Sequence, residues 1–220
     1  MNLNLRIFGD STFPDVHEYT PPRYKKSSEQ LKKKRSFGQF LSISGGTGLA
    51  LQIGHRESED LDFFSQKDFN SELLQKEFAN ISHLENVQID KGTLNCFVDN
   101  VQIQFLHYPY KLLEEKIDWE GIAVSSVLDI ACTKLLTISS RVNRKDFIDL
   151  YFILQIYPLS FLFKKLGEKY TNINYDKLHI LKSLIYFEEA DSQPSQRMHK
   201  AVNWETIKKE IKKVDKDFKL

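Results

Sequence analysis

The chain has 220 residues, 41% of them hydrophobic, and its 31 Lys+Arg against 30 Asp+Glu leave a formal net charge of +1. That balance excludes a global field driving the molecule onto nucleic acid or an anionic membrane, and the composition excludes disordered, collagenous and disulfide-dense classes. Two cysteines, Cys96 and Cys132, are too few for a stapled secreted framework. No export signal is read in residues 1–10. The most apolar stretch, 150–163, is broken by Gln155, Pro158 and Ser160 and falls short of the roughly 18 apolar residues of a membrane span. The expectation is a soluble, cytoplasmic globular protein with no membrane partner.

In chain order, residues 1–27 carry Pro14, Pro21 and Pro22 and read as an irregular arm with one short strand at 3–8. Residues 23–35 hold seven basic residues against Glu29, with Ser28 as the cap of a short helix. A solvated helix face and a phosphate-backbone patch are both open readings there. Residues 39–44 read as a strand running into Gly45-Gly46-Thr47 and a short helix that ends near Gly54. A strand at 60–64, an amphipathic helix over 71–79 and a hairpin of 94–98 with 101–108 about Asp99-Asn100 follow, so the sheet is mixed or partly antiparallel. Beyond Pro109, Leu128, Ala131, Leu135 and Ile138 show helical spacing, and helices are predicted over 126–141, 145–157, 159–170, 177–189 and 204–214. The fold class is α/β (α+β): a mixed sheet core flanked by helices, then a helical C-terminal bundle. The expected division is an arm (1–27), a core (28–122) and a helical domain (123–220).

Two devices in this pattern carry chemistry. Gly45 and Gly46 at a strand-to-helix turn let backbone N–H groups approach an anion with no Cβ in the way, and the helix start and the Thr47 hydroxyl add to a phosphate cradle. Asp60 and Asp62 stand at i and i+2 of a strand, leave by the same face and share one hard cation, which is half of a magnesium site. Cradle and carboxylate pair together are what metal-assisted nucleotidyl transfer needs.

Downstream, Asp146 and Asp149 share one helical face and either complete the acidic site or activate an acceptor hydroxyl. A salt bridge to one of those aspartates would satisfy Lys134 without any catalysis. Arg144-Lys145-Asp146 also reads as an ordinary helix start capped by Asn143. His55 and Arg56 either compensate carbonyls at a helix end or, for Arg56, orient Asp60 or Asp62. The histidines show no metal-ligand spacing, and neither cysteine has a nearby base.

Gly45-Gly46-Thr47, twelve residues, then Asp60-Leu61-Asp62-Phe63-Phe64 resembles motif I of the DNA polymerase beta-type nucleotidyltransferase superfamily. With His55-Arg56 and Ser58 it resembles the AbiEii/AbiGii-type toxin family in particular. Asp129-Ile130, Lys134 and the run from Arg144 to Tyr151 are similar to that family's second motif, and residues 183–190 with Trp204 to its C-terminal end, so the resemblance spans roughly residues 28 to 212. It implies a nucleotidyltransferase-type core and a Mg²⁺-dependent toxin of a bacterial toxin–antitoxin or phage-defence system, transferring a nucleoside monophosphate from an NTP to an RNA (tRNA) or protein acceptor. A cognate antitoxin is the implied partner.

By position, Gly45, Gly46, Thr47, Arg56 and Lys134 would bind the nucleotide's phosphates. Asp60 and Asp62 would hold the metal, and Lys134, Asp146 and Asp149 would join them in catalysis. One departure stands out: Gln104 on strand 101–106 occupies the place where active members commonly set a third carboxylate. Gly48 stands where the family commonly has alanine, at a helix cost of about 1 kcal/mol. Two other functions share this pattern, a kinase-like transfer of the γ-phosphoryl group and a nucleotide- or RNA-binding module without turnover.

Overall fold

A computed structural model describes residues 41–219. The arm, the basic segment 23–35 and the start of the strand expected at 39–44 lie outside the described residues. The described chain forms eight helices and one seven-stranded mixed sheet, in the order β3 (Glu85–Asp90), β4 (Thr93–Val98), β5 (Val101–His107), β2 (Leu61–Ser65), β1 (Leu41–Ile43), β7 (Ile122–Val124) and β6 (Ile117–Trp119).

β1 (Leu41–Ile43) is buried throughout and runs antiparallel to β2 (Leu61–Ser65) and parallel to β7 (Ile122–Val124). β2 pairs in parallel with β5 (Val101–His107), in a register that sets Asp62 opposite Gln104. Strand alternation then sorts the faces. Leu61, Phe63, Val101, Ile103 and Phe105 are buried against α2 (Ser71–Ala79), where Phe78 meets the Phe105 ring edge-on at 5.4 Å. Asp62, Phe64, Gln102, Gln104 and Leu106 leave by the opposite face.

β4 (Thr93–Val98) joins β5 through Asp99 and Asn100, both at positive φ (49° and 63°), the conformation that a two-residue hairpin requires. β3 (Glu85–Asp90) and the β6 (Ile117–Trp119)–β7 hairpin were not expected. β3 is an edge strand exposed at nearly every residue, and Val87 and Ile89 are its only apolar residues. The three-residue β6 and β7 turn at Glu120 and Gly121 (φ 50° and 82°).

α1 (Gly45–Ile53) starts where β1 ends and stops at Gly54, whose left-handed φ of 56° lets its N–H close on the Ala50 carbonyl at 2.9 Å. At Gly48 an added Cβ would lie 3.1 Å from both the Ile43 carbonyl and Ile130. The helix penalty of that glycine therefore permits close seating of α1 on β1 and α3 (Val127–Ser140).

α3, α4 (Arg144–Leu154), α5 (Leu159–Lys169), α6 (Lys177–Leu184), α7 (Glu188–Asp191) and α8 (Trp204–Asp217) build a second core around Leu135, Phe147, Leu162 and Leu184. The single helix expected over 177–189 is broken. Leu184-Ile185-Tyr186-Phe187 would put four apolar side chains around one turn, and the break turns Phe187 inward onto Phe147 (4.8 Å) while Ile185 and Tyr186 stay exposed. Among the described residues no single helix is long and apolar enough to cross a membrane.

Candidate active site

Between the open face of the sheet and the helices lies a cavity of about 550 Å³, floored by β2 and β5 and walled by the start of α1, by α3 and by the start of α4. Gly45 and Gly46 line it together with Asp60, Asp62, Arg56, Lys134, Arg141 and Lys145. Phe64, Leu106, Tyr108 and Leu136 make its apolar part.

The cradle and the carboxylates are built against one another. Ser44 N–H donates to the Asp62 carbonyl at 2.8 Å, which fixes the helix start beside β2. Gly45 takes a φ of +59°, and a Cβ there would stand 2.2 Å from Asp62 Oδ2. At Gly46 a Cβ would meet the Arg56 guanidinium at 2.5 Å. The φ of Gly45 and the close approach of Asp62 and of the seated Arg56 leave little room for a side chain at either glycine, and the amides of the first turn have no partners within the helix. Burial pushes the Asp62 carboxyl above its ordinary range, against the attraction of Lys134. Asp60 is half-buried and accepts a hydrogen bond from Lys145 Nζ at 2.8 Å.

Thr47 does not reach the cavity. Its hydroxyl donates to the Asp60 carbonyl and lies 2.8 Å from the Ser58 hydroxyl, so it clamps α1 to the loop that carries Asp60. The hydroxyl expected to bind phosphate is thus engaged between α1 and that loop, outside the cavity lining.

Asp146 and Asp149 do share one face of α4, but both are fully buried behind the wall, away from Asp60 and Asp62. Asp149 accepts Arg56 Nε (2.7 Å) and Nη2 (2.9 Å), is paired with Lys134 Nζ (2.6 Å) and lies 2.7 Å from His55 Nε2. Asp146 takes Lys134 Nζ at 2.6 Å and Arg141 Nε at 3.0 Å. Burial alone would raise the Asp149 carboxyl; Arg56, Lys134 and the His55 hydrogen bond outweigh it and hold it well below the usual carboxylate range. These acids hold cations, as the salt-bridge reading of Lys134 expected, and neither lines the cavity. Arg56 correspondingly orients neither Asp60 nor Asp62, and its guanidinium faces the cradle over Gly46 from a bidentate seat on Asp149.

Lys134 is where the two open readings meet. Its ammonium lies between Asp146 and Asp149, yet the residue lines the cavity at 4% exposure, so it presents a fixed positive charge to whatever binds there. Gln104 faces the same cavity beside Asp62, a neutral amide at the expected third position. Lys145, Arg141 and Gln102 line the site without having been expected there. For Lys145 the signal was present: one residue before Asp146, it stands at the margin of the buried face of α4. Cys96 and Cys132 are buried, their thiols pushed up to about 11 and about 12, and neither is a nucleophile.

A helix-start cradle above a carboxylate pair, on a mixed sheet closed by helices, defines the class as a nucleotidyltransferase-type α/β enzyme. The particular family follows: the model of the nucleotidyl transferase AbiEii toxin family, of type IV toxin–antitoxin systems, matches residues 31–118 and 107–219, and the chain belongs to that family of nucleotidyltransferases. An uncharacterized protein of Aquifex aeolicus is 34% identical over 202 residues, 88% of this chain and 96% of that protein. The fold is similar to that of MenT4, a nucleotidyltransferase toxin of Mycobacterium tuberculosis, with a TM-score of 0.56 and 16% identity over 88% of this chain and 83% of that one. It is also similar to JHP933 of Helicobacter pylori, with a TM-score of 0.50 and 17% identity over 94% and 92% of the two chains.

Proposed function

We propose that this nucleotidyltransferase toxin moves a nucleoside monophosphate from an NTP to an RNA acceptor of the tRNA class, with Mg²⁺ held by Asp60 and Asp62. The observation that carries the reading is the packing of Asp62 Oδ2 against Gly45, which makes carboxylate and helix-start amides address one space. No group of three or more metal-binding side chains occurs among the described residues. Two carboxylates suit a magnesium ion nonetheless, because that ion keeps several waters and takes its remaining ligands from substrate phosphates. Bound there, it would supply charge neutralisation between triphosphate and protein.

In the transfer, the acceptor hydroxyl oxygen attacks the α-phosphorus, the bond from that phosphorus to the β-bridging oxygen breaks, and pyrophosphate leaves. The amides at Gly45 and Gly46, with Arg56 and Lys134, hold the phosphates and the charge that develops on the leaving group. Asp60 and Asp62 are the acids among the described residues that line the cavity, so the acceptor's proton passes to solvent rather than to Asp146 or Asp149.

An RNA acceptor is favoured over a protein by the charge of the two halves. Residues 41–122 carry 14 acids against six basic residues, and residues 123–220 carry 17 basic residues against 12 acids. The helical side therefore suits a polyanion. The described parts of the core and of the helical domain, 41–122 and 123–219, are read as the two sides of the cleft. A cytoplasmic site of action and a cognate antitoxin complete the reading.

The test is label transfer with Mg²⁺, each α-labelled NTP and total cellular RNA plus protein, beside Asp62→Asn. Label on a discrete RNA band, absent in the variant, is the expected result. Label on a protein band would move the acceptor class, and label arriving only from γ-labelled ATP would replace the reading with phosphoryl transfer.

A further inference from the structure

Six charged side chains line the cavity, and their partners divide them. Lys134 is fixed between Asp146 and Asp149 at 2.6 Å from each, Arg56 is seated on Asp149, and Arg141 reaches back to Asp146. Lys145 differs. Its ammonium is paired with Asp60, one of the two carboxylates that the proposed function assigns to the metal. Both partners are about one-third exposed, so this ion pair is open to exchange where the buried ones are not.

The base of the Lys145 side chain is anchored. Its N–H donates to the Asn143 cap at 3.1 Å. The neighbouring Arg144 donates from its N–H and from Nη1 to Gln193, at 2.8 Å each, and sits 4.8 Å from the Trp204 ring centre. What is free to move is the four-carbon stem, which swings the ammonium about a fixed Cα.

We propose that Lys145 is a positioning residue that holds the place of the metal on Asp60 and hands it over only when nucleotide arrives. This rests on the reading of Asp60 and Asp62 as metal ligands. A divalent cation entering alone has to displace the ammonium from Asp60 Oδ2, and with Gln104 at the third position it finds no further carboxylate on β5 to compensate. The displaced ammonium stays tethered within reach and repels it. A triphosphate changes the balance, because its oxygens give Lys145 a new anionic partner at the moment Asp60 is released. Metal and nucleotide therefore load together, each weak without the other.

The experiment measures binding rather than turnover, with full-length protein, Mn²⁺ as the metal probe followed by its electron paramagnetic resonance signal, and the α,β-methylene analogues of the four NTPs. Wild type, Lys145→Met, Lys145→Gln and Asp60→Asn are compared, with thermal melts confirming that each variant folds. Removing the ammonium is expected to tighten Mn²⁺ alone by about fivefold, the scale of a partly exposed ion pair. The same substitution is expected to weaken the analogue in the presence of Mn²⁺ by about tenfold and to abolish the mutual enhancement of the two ligands. Unchanged or weaker binding of Mn²⁺ alone in both Lys145 variants, with wild type still binding Mn²⁺ and analogue, overturns the role of Lys145 and leaves the proposed function standing. If Asp60→Asn binds both ligands as wild type does, the metal assignment itself fails.

Discussion

Two pairs of aspartates, Asp60/Asp62 and Asp146/Asp149, bracket the cavity and have opposite consequences. The first pair faces the cavity, and burial pushes Asp62 up toward its neutral form. The second is fully buried, and Asp149 is held down by cations. A carboxylate that is underpaired at a cavity wall is available for a ligand; one that is buried on two or more cations is committed to the fold. The comparison breaks first at Asp62→Asn. Because a neutral amide removes a charge that the fold disfavours, melting temperature is expected to hold or rise, while transfer activity falls by about 10³-fold. A parallel loss of stability and activity would place Asp62 with the structural pair.

Asp149→Asn probes the other side. It leaves Arg56 and Lys134 buried with half their counter-charge, and stability is expected to fall by about 3 kcal/mol in urea unfolding. Activity is lost with it, since the guanidinium over Gly46 is no longer seated. A stable but inactive Asp149→Asn would instead restore the acid–base role.

Gly45→Ala tests the join between cradle and carboxylate. A non-glycine residue at φ +59° and a Cβ at 2.2 Å from Asp62 Oδ2 both oppose it. About 2 kcal/mol of stability and about tenfold in activity are expected to go. If only stability changes, Asp62 has moved aside at no functional cost and the packing is incidental.

What could be read in advance follows from how local each cause is. The strand, glycine turn and helix from Leu41 to Gly54, the Asp99-Asn100 hairpin and the faces of β2 and β5 are set by alternation and by residues that tolerate positive φ. β3 was missed because an edge strand exposed at nearly every residue leaves only Val87 and Ile89 as a pattern. The site divides in the same way. Gly45, Gly46, Asp60 and Asp62 lie within one short segment; the strand period places Asp62 in the cavity, and Asp60 lines it from the loop just before β2. Asp146 and Asp149 were correctly put on one face of a helix, but whether that face met the cavity or the core depended on Arg56 and His55, some 90 residues away. Thr47 shows the same limit: its hydroxyl meets the backbone of Asp60, a contact that spacing does not reveal.

The smallest effect concerns the histidine that completes the buried pair. His55 lies wholly inside, its Nε2 on Asp149 and its Nδ1 without a hydrogen-bond partner among the described residues, and burial lowers its pKa below the ordinary 6.5 despite the Asp149 hydrogen bond. Above pH 6.5 the ring is neutral in both folded and unfolded chains, and its full contribution is present. As pH falls below 6.5 the unfolded chain takes up a proton that the folded chain refuses, so stability declines with a slope of at most about 1.4 kcal/mol per pH unit. Asp149, with a lowered pKa, adds its own loss only below the ordinary carboxylate range. Asp62, with a raised one, acts in the opposite sense above it. A comparison of variants therefore isolates the ring. His55→Gln, whose amide can still donate to Asp149, is expected to lose about 1 kcal/mol less than wild type between pH 7.5 and pH 5.5 in urea unfolding. An identical pH loss in the two proteins would mean that His55 is protonated inside the network, and that the buried pair, like the open one, trades its charge with the solvent.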